Sequence, residues 1–457
     1  MVAAVRRTPP MDWARSLARV STVEDLFSFI TASPSPYHAV AEAGRRLTAA
    51  GFTRLDPNEE WPAEPGRYFV ARGGAMVAWS VAARSRGGAA TPFRIIGAHT
   101  DSPNLRIKPR PDTGGYGWKQ LAVEVYGGAL LNSWLDRDLG LSGRVVLRSG
   151  GEPRLVRVDR PLMRVPQLAI HLDRDVNRDG LRLNPQLHLT PVWGTGAVEA
   201  GEFAAFLADE LSGSDGDVDG ADIAAWDVML HDLTPPARLG RHGDLLASAR
   251  LDNLVSCWAA LESISAVAGS TVGPAEAVVP VVCLYDHEEV GSTSATGADG
   301  GFLGQVLERI GISGGAPRAD HLRALAASVC VSADMAHATH PNHPERHDPL
   351  HPVTVNGGPV IKVNANQRYA TDATTAGMMV RICEEAEIPH QWFVSRNDMP
   401  CGSTIGPLTA AHLGMATVDI GVAQLSMHSA RELCGADDPP RFVEVLTRFL
   451  GSPAGPS

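Results

Sequence analysis

Adjacent Glu288 and Glu289 follow an apolar, β-branched run from Val278 to Tyr285, with only Asp286 and His287 between. Side-by-side carboxylates can divide labour, one binding a cation while the other moves protons. Matched groups follow other apolar runs: His99 and Asp101 after Phe93–Ala98, Asp334 after Ala326–Ala333, and His428 beyond Ala416–Gly421. Asp252 opens a helical stripe of Leu251, Leu254, Val255, Trp258 and Leu261, and a helix N-terminus favours a carboxylate. Imidazole and carboxylate donors without thiolates suit zinc, or exchangeable manganese or cobalt.

Asp252 could bridge two ions, with His99 and Asp334 completing one and Glu289 and His428 the other. Two ions about 3.5–4 Å apart can clamp a water and a carbonyl oxygen together. Glu288, beside a ligand yet free to face the water, is then the candidate general base. Asp101, two residues after His99, can hold that imidazole in the required tautomer. Taken singly, each residue has an ordinary reading as a structural His, a helix-start Asp or a strand-closing Asp. Their convergence carries the argument, because open α/β sheets bind ligands beyond the carboxyl ends of their strands.

The elements that would position these groups alternate as an α/β chain. Val23–Thr31 and Pro36–Ala50 read as helices, the second entered through Ser33-Pro-Ser-Pro, a helix-start signal. Arg67–Ala71, Met76–Val81 and Phe93–Ala98 read as strands, and residues 1–20 as a loosely held arm. From residue 104 the texture changes. Leu121–Tyr126, Gly143–Arg148 and Arg154–Val158 alternate like antiparallel or barrel-like strands. Gly201–Leu211 reads as a helix and Ser212–Asp222 as an exposed, mobile loop. The helix–strand pattern resumes near Ser248, with Pro359–Val363, Trp392–Ser395 and Ala416–Gly421 as further strands and Ser403–Leu413 as a helix. The expected organisation is a discontinuous main domain, 1–103 and 245–457, carrying an inserted module at 104–244.

Bulk properties exclude several classes. The 457 residues, 44% hydrophobic and 20% charged, can build a substantial core. A net charge of -11 argues against nucleic acid or an anionic membrane as a main partner. Six cysteines without a Cys-x-x-Cys pair suit a reducing compartment. No run approaches a membrane span and the N-terminus lacks a secretory core, so a cytoplasmic protein is expected.

Several motifs are specific in combination. Gly97-Ala-His99-Thr-Asp101-Ser-Pro, Leu251-Asp252-Asn253, Asp286-His-Glu288-Glu289-Val-Gly, Ser332-Ala-Asp334-Met-Ala-His337, Gly358-Pro-Val-Ile-Lys362, Arg368-Tyr369-Ala, Asn397-Asp-Met-Pro-Cys-Gly and Met427-His428-Ser occur in this order. Together they resemble the M18 metallo-aminopeptidases, the aspartyl aminopeptidase family, from about residue 25 to the C-terminus. The resemblance implies a zinc-peptidase-like α/β catalytic domain, its mixed sheet flanked by helices, interrupted by an inserted β-rich dimerisation domain. It also implies a homo-oligomer, a dodecamer built from dimers. Carried over by position, His99, Asp252, Glu289, Asp334 and His428 match ligands of two zinc ions per subunit, and Glu288 matches the base. His171 matches a histidine that reaches the partner subunit's site as a substrate or oxyanion contact, with coordination left open. His337, Lys362 and Tyr369 match substrate-contacting positions, Lys362 pairing with an acidic N-terminal side chain. One departure is His287, where Asn is expected in many relatives.

The function implied is hydrolysis of single N-terminal residues from peptides, acidic residues preferred, by a water activated between two metals. The alternatives are a dinuclear amidohydrolase of other specificity (a neutral-residue aminopeptidase, deacylase or carboxypeptidase) and a catalytically silent assembly or cargo-binding scaffold. A free substrate amine separates an aminopeptidase from enzymes that need a free carboxylate. Loss of a ligand or of Glu288 would favour the scaffold, and all are present.

Overall fold

The computed structural model describes residues 13–82, 91–212, 217–269 and 278–452, with side chains from residue 22 onward. At its centre lies a nine-stranded sheet in the order Thr53–Arg54, Gly66–Arg72, Ala75–Val81, Val279–Tyr285, Phe93–His99, Val329–Ala333, Ala416–Gly421, Val360–Val363, Gln391–Val394. Val279–Tyr285 and Phe93–His99 are buried at every residue, as expected of central strands covered on both faces. These two strands and the next two, Val329–Ala333 and Ala416–Gly421, run parallel as neighbours. Tyr285 pairs with His99 and Ala333 with Ile420, so four carboxyl ends finish along one edge. That alignment positions the site.

Helices cover both faces. Trp13–Ala32, Pro36–Ala49, Leu251–Gly269 and Asp438–Gly451 bury Phe29, Leu47, Trp258 and Phe449 on one side. The last helix repeats Phe442, Val445, Leu446 and Phe449, the spacing of one apolar face. Phe302–Ser313 and Arg318–Ala326 bury Phe302, Val306 and Ala324 on the other side. Among the described residues, no helix is long and apolar enough to cross a membrane.

Residues 104–232 form a separate, antiparallel six-stranded sheet: Arg154–Met163, Leu139–Leu147, Ile223–Asp232, Asn104–Gly115, Trp118–Tyr126, Val192–Thr195. Its core, around Leu121, Leu141, Phe203 and Leu230, takes in Ala430 from the C-terminal part of the chain. A third sheet of five short strands joins Ala237–Leu239, Leu245–Ser248, Glu432–Gly435, Ala423–Leu425 and Ala336–His337.

Several expectations need correction. A helix begins at Trp13 within the expected N-terminal arm, and residues 1–12 lie outside those described. The expected strand from Ala326 begins at Val329, because Ala326 still closes the preceding helix. In the expected mobile loop at 212–222, Asp219 and Asp222 cap a short turn at Gly220–Asp222, and residues 213–216 lie outside those described. Asp252 and Asn253 (φ -85, ψ 104; φ -125, ψ 26) depart from helical geometry, so Asp252 precedes the regular helix instead of sitting in its first turn.

The inserted sheet meets the main body at buried His38 and His231. Ser142 Oγ donates to Pro34 O at 3.1 Å, and His231 lies 3.1 Å from both Ser142 Oγ and Asp159 Oδ1. Burial first, then the charges of Arg157 and His231, push the His38 imidazole down to about 4, with Asp159 opposing. The unfolded chain protonates this group near 6.5. Stability is therefore complete above that pH and declines as pH falls toward 4, by about 2 kcal/mol at pH 5. Unfolding at pH 7.5 and pH 5 should show a loss in the parent that is smaller by about this amount in His38→Gln. Equal losses in both would refute the assignment.

Candidate metal centre

His99 ends its strand with the ring fully buried. Its Nδ1 lies 2.9 Å from the Asp101 main-chain oxygen, which fixes that nitrogen as the donor. Its Nε2 is thereby turned toward Asp252 Oδ1 at 3.3 Å, Asp334 Oδ1 at 3.6 Å and Glu288 Oε2 at 3.9 Å. On the other side of Asp252, His428 Nε2 lies 3.7 Å from Asp252 Oδ2 and 3.2 Å from Glu289 Oε2. Three overlapping donor groups result: His99, Asp252 and Asp334; Asp252, Glu289 and His428; His99, Glu288 and Glu289. Asp252 is common to the first two.

Local folding explains these placements. Gly421 lets the Ala416–Gly421 strand pass against Asp334, since a Cβ there would overlap the Asp334 carbonyl oxygen. Asn253 Nδ2 donates to Ala333 O at 2.8 Å, and Cys257 Sγ lies 2.9 Å from His99 O. The helix start is thus tied to the two strand ends that carry His99 and Asp334. Glu288 and Glu289 occupy a short turn after His287. His287 has φ 65, a left-handed conformation that Asn, Asp and His tolerate better than most residues.

Asp101 does more than orient His99. Its carboxylate accepts hydrogen bonds from Tyr126 Oη at 2.7 Å and from the Glu288 and Glu289 amides at 3.1 Å each. It therefore ties the glutamate turn to the His99 strand and to the inserted sheet.

The cluster is rich in negative charge. Burial first, and then the carboxylates of Asp334, Asp101 and Asp252, push Glu288 up to about 8 despite His99 nearby. Burial and Asp252 raise Glu289 well above the usual carboxylate range. Asp334 goes the other way: burial would raise it, but Lys362 and His99 hold it well below. Asp252 Oδ1 and Glu289 Oε1 are buried without a hydrogen-bond donor among the described residues. Orphaned carboxylate oxygens beside imidazole nitrogens are the donor set a divalent cation satisfies. The residues fit zinc.

The Glu288 side chain is 15% exposed and that of Glu289 3%, so Glu288 is the one a small molecule can reach. Lys362 lies behind Asp334, 2% exposed, with Nζ 3.2 Å from Met335 O and 3.6 Å from Asp334 Oδ2. Buried Tyr369 stacks its ring 5.1 Å from that ammonium. His337 is exposed, its ring 5.9 Å from that of Phe393.

The chain thus gathers His99, Asp101, Asp252, Glu288, Glu289, Asp334 and His428, with Lys362 and Tyr369 adjoining. His171 is not among them. It occupies an exposed turn of the inserted segment, between exposed Ile170 and Leu172. Sequence reasoning missed Tyr126, which hydrogen-bonds Asp101, and Glu432, which accepts from the Asp252 and His428 amides. An apolar cavity of about 90 Å³ lined by Trp61, Tyr68, Trp79, Phe93 and His321 lies near the amino-terminal ends of the strands. It lacks the convergent donors, which gather instead at the carboxyl ends of the strands.

The family model for the aminopeptidase I zinc metalloproteases (M18) matches residues 29–450. A Streptomyces coelicolor protein named "Probable M18 family aminopeptidase 2" is 56% identical over 429 residues, 93% of this chain and 97% of that one. A Mycobacterium tuberculosis protein of the same name is 49% identical over 439 residues, 94% and 98% of the two chains. Among solved structures, Ape4 in its complex with Nbr1 superposes with TM-score 0.91 at 37% identity, covering 97% of this chain and 88% of that one. The S. cerevisiae mApe1 dodecamer gives 0.81 at 25% identity, covering 95% and 97%. With the family model spanning almost the whole chain and half its residues shared with named aminopeptidases, the chain belongs to the M18 zinc metalloprotease family and is an aminopeptidase.

Proposed function

We propose that this aminopeptidase releases single N-terminal residues from peptides, with acidic residues preferred, through a two-cation centre. The observation that carries this reading is the sharing of Asp252 between two donor groups, with Asp252 Oδ1 and Glu289 Oε1 both orphaned. His99, Asp252 and Asp334 would hold one ion, and Asp252, Glu289 and His428 the other. Two zinc ions, with manganese or cobalt exchangeable, would polarise the scissile carbonyl and lower the pKa of water toward neutrality.

The chain's own residues do the rest. Glu288 accepts the water's proton and returns it to the departing amine. Its side chain, 15% exposed beside the donor groups, is placed to serve in both steps. Asp101 keeps His99 and the glutamate turn in register. His171 is offered to a neighbouring subunit, where it stabilises the oxyanion of the tetrahedral intermediate. His337, Lys362 and Tyr369 receive the N-terminal residue. Lys362 is the cation nearest the centre, and its ammonium already serves Asp334 and Met335 O. An acidic substrate side chain therefore competes with Asp334 for it, and substrate preference measures that competition.

The inserted segment, 104–244, would be the dimerisation module, and 1–103 with 245–457 the catalytic body. Its separate sheet and core support this division. The mApe1 neighbour is a dodecamer, and a dodecamer built from dimers is proposed here too. Six unpaired cysteines, five of them buried, suit a reducing compartment. The cytoplasm is the proposed location.

A panel of aminoacyl chromogenic substrates, run on one metal-stripped preparation with zinc, manganese or cobalt, tests the whole reading. Aspartyl and glutamyl substrates should exceed neutral ones in kcat/KM by at least about tenfold, and N-acetylated peptides should resist cleavage. Cleavage of blocked peptides that carry a free carboxylate would sink the aminopeptidase reading. Equal rates across the panel would remove the acidic preference alone.

A further inference from the structure

Glu432 hydrogen-bonds the main chains of two residues of the centre. It opens the Glu432–Gly435 strand, paired with Ser248 just upstream of Asp252, and is 2% exposed. Its Oε2 accepts from the Asp252 amide at 3.0 Å and its Oε1 from the His428 amide at 2.8 Å. One carboxylate thus joins the main chains of two centre residues that are far apart in sequence.

His428 is held from the opposite side by the inserted segment. Its Nδ1 donates to Gly128 O at 3.1 Å, and its carbonyl accepts from Leu130 N at 3.0 Å. Two residues on, Ala430 N donates to Ser133 Oγ at 2.8 Å, and that hydroxyl donates to Leu130 O at 2.6 Å. The grip is close, since a Cβ on Gly128 would lie 3.2 Å from His428 Nδ1. It also answers a local cost. His428 has φ 67, a conformation that persists in a non-glycine residue only where its surroundings fix it.

We propose that Glu432 and the 128–133 turn form a positioning frame that presets His428 and Asp252 as a ligand pair. The frame sets the cation affinity of the Asp252, Glu289 and His428 half of the centre without touching the ion. The His99 and Asp334 half has separate supports: the Asp101 carbonyl, Asn253 and Lys362. Glu432 is a positioning residue, and the inference rests on the two-cation reading above.

Glu432→Gln keeps the shape but sets an amide NH₂ against one of the two main-chain donors. Cobalt or zinc titration of metal-stripped parent and variant reads each affinity directly. The second equivalent should bind about 10–100-fold more weakly in the variant, as for other supports of ligand residues, while the first, which shares Asp252 but not His428, weakens several-fold less. Activity should return at high free metal with substrate KM unchanged. Parental affinity at both equivalents overturns the proposal, and so does equal weakening of both, which marks a general loss of packing. If Glu432→Gln does not fold, Gly128→Ala and Ser133→Ala decide. Selective weakening of the second equivalent supports the frame, and two unchanged equivalents overturn it. A parent that binds a single equivalent removes the two-cation reading, and this inference with it.

Discussion

Glu288→Gln is expected to keep its metal and lose turnover, with kcat falling by about a thousandfold or more. The upper range for removing a general acid–base group is about 10⁴, and here one carboxyl serves both proton transfers. Metal retention follows from position. Glu288 Oε2 is 3.9 Å from His99 Nε2, whereas Glu289 Oε2 is 3.2 Å from His428 Nε2. Stability should not suffer either. Burial and the neighbouring Asp334, Asp101 and Asp252 disfavour a charge at Glu288, and a neutral amide of the same shape carries none. Bound metal by elemental analysis, thermal unfolding and kcat on an aspartyl substrate check the three parts together. Near-parental turnover with metal retained would move the base to another residue. Loss of metal would make Glu288 a ligand.

The contrast within this pair shows what the sequence makes legible. Buried parallel strands announce themselves as unbroken apolar runs, and the residue after such a run must lie at a strand end. His99, Glu288, Glu289 and Asp334 could therefore be placed from local pattern alone. Asp252 was harder, because a helical stripe does not reveal that its first residues leave helical geometry. The five-stranded sheet left no local trace. Its strands are two to four residues long, and Leu245–Ser248 finds its partner at Glu432–Gly435. Pairing across that much chain writes no period into either segment. Glu432 and Asp101 act largely by accepting main-chain N–H groups, and any buried carboxylate could do so. Lys362 would read as an exposed strand lysine. It is buried with its ammonium 3.6 Å from Asp334, which follows Val329–Ala333, two strands away in the sheet.

His171→Phe should leave assembly and metal intact and lower kcat by about 10²–10³-fold, the cost of one lost oxyanion donor at about 3–4 kcal/mol. Within its own subunit His171 contacts none of the centre residues among the described hydrogen bonds and ion pairs. Its neighbours Leu168, Ile170 and Leu172 are 57%, 47% and 74% exposed, an apolar surface that suits cover by another chain. Phenylalanine suits that apolar contact, so the defect should fall on catalysis. A stronger test uses both variants together. In a twofold dimer with exchanged segments, one subunit's site takes its histidine from the other. Pairing a Glu288→Gln subunit with a His171→Phe subunit makes one site with both defects and one with neither. Random pairing gives half hybrid dimers, so co-expression should restore roughly a quarter of parental activity, although each variant alone is nearly inactive. If His171 serves its own subunit, the hybrid contains no intact site. Co-expression would then yield no more activity than the two variants mixed after purification.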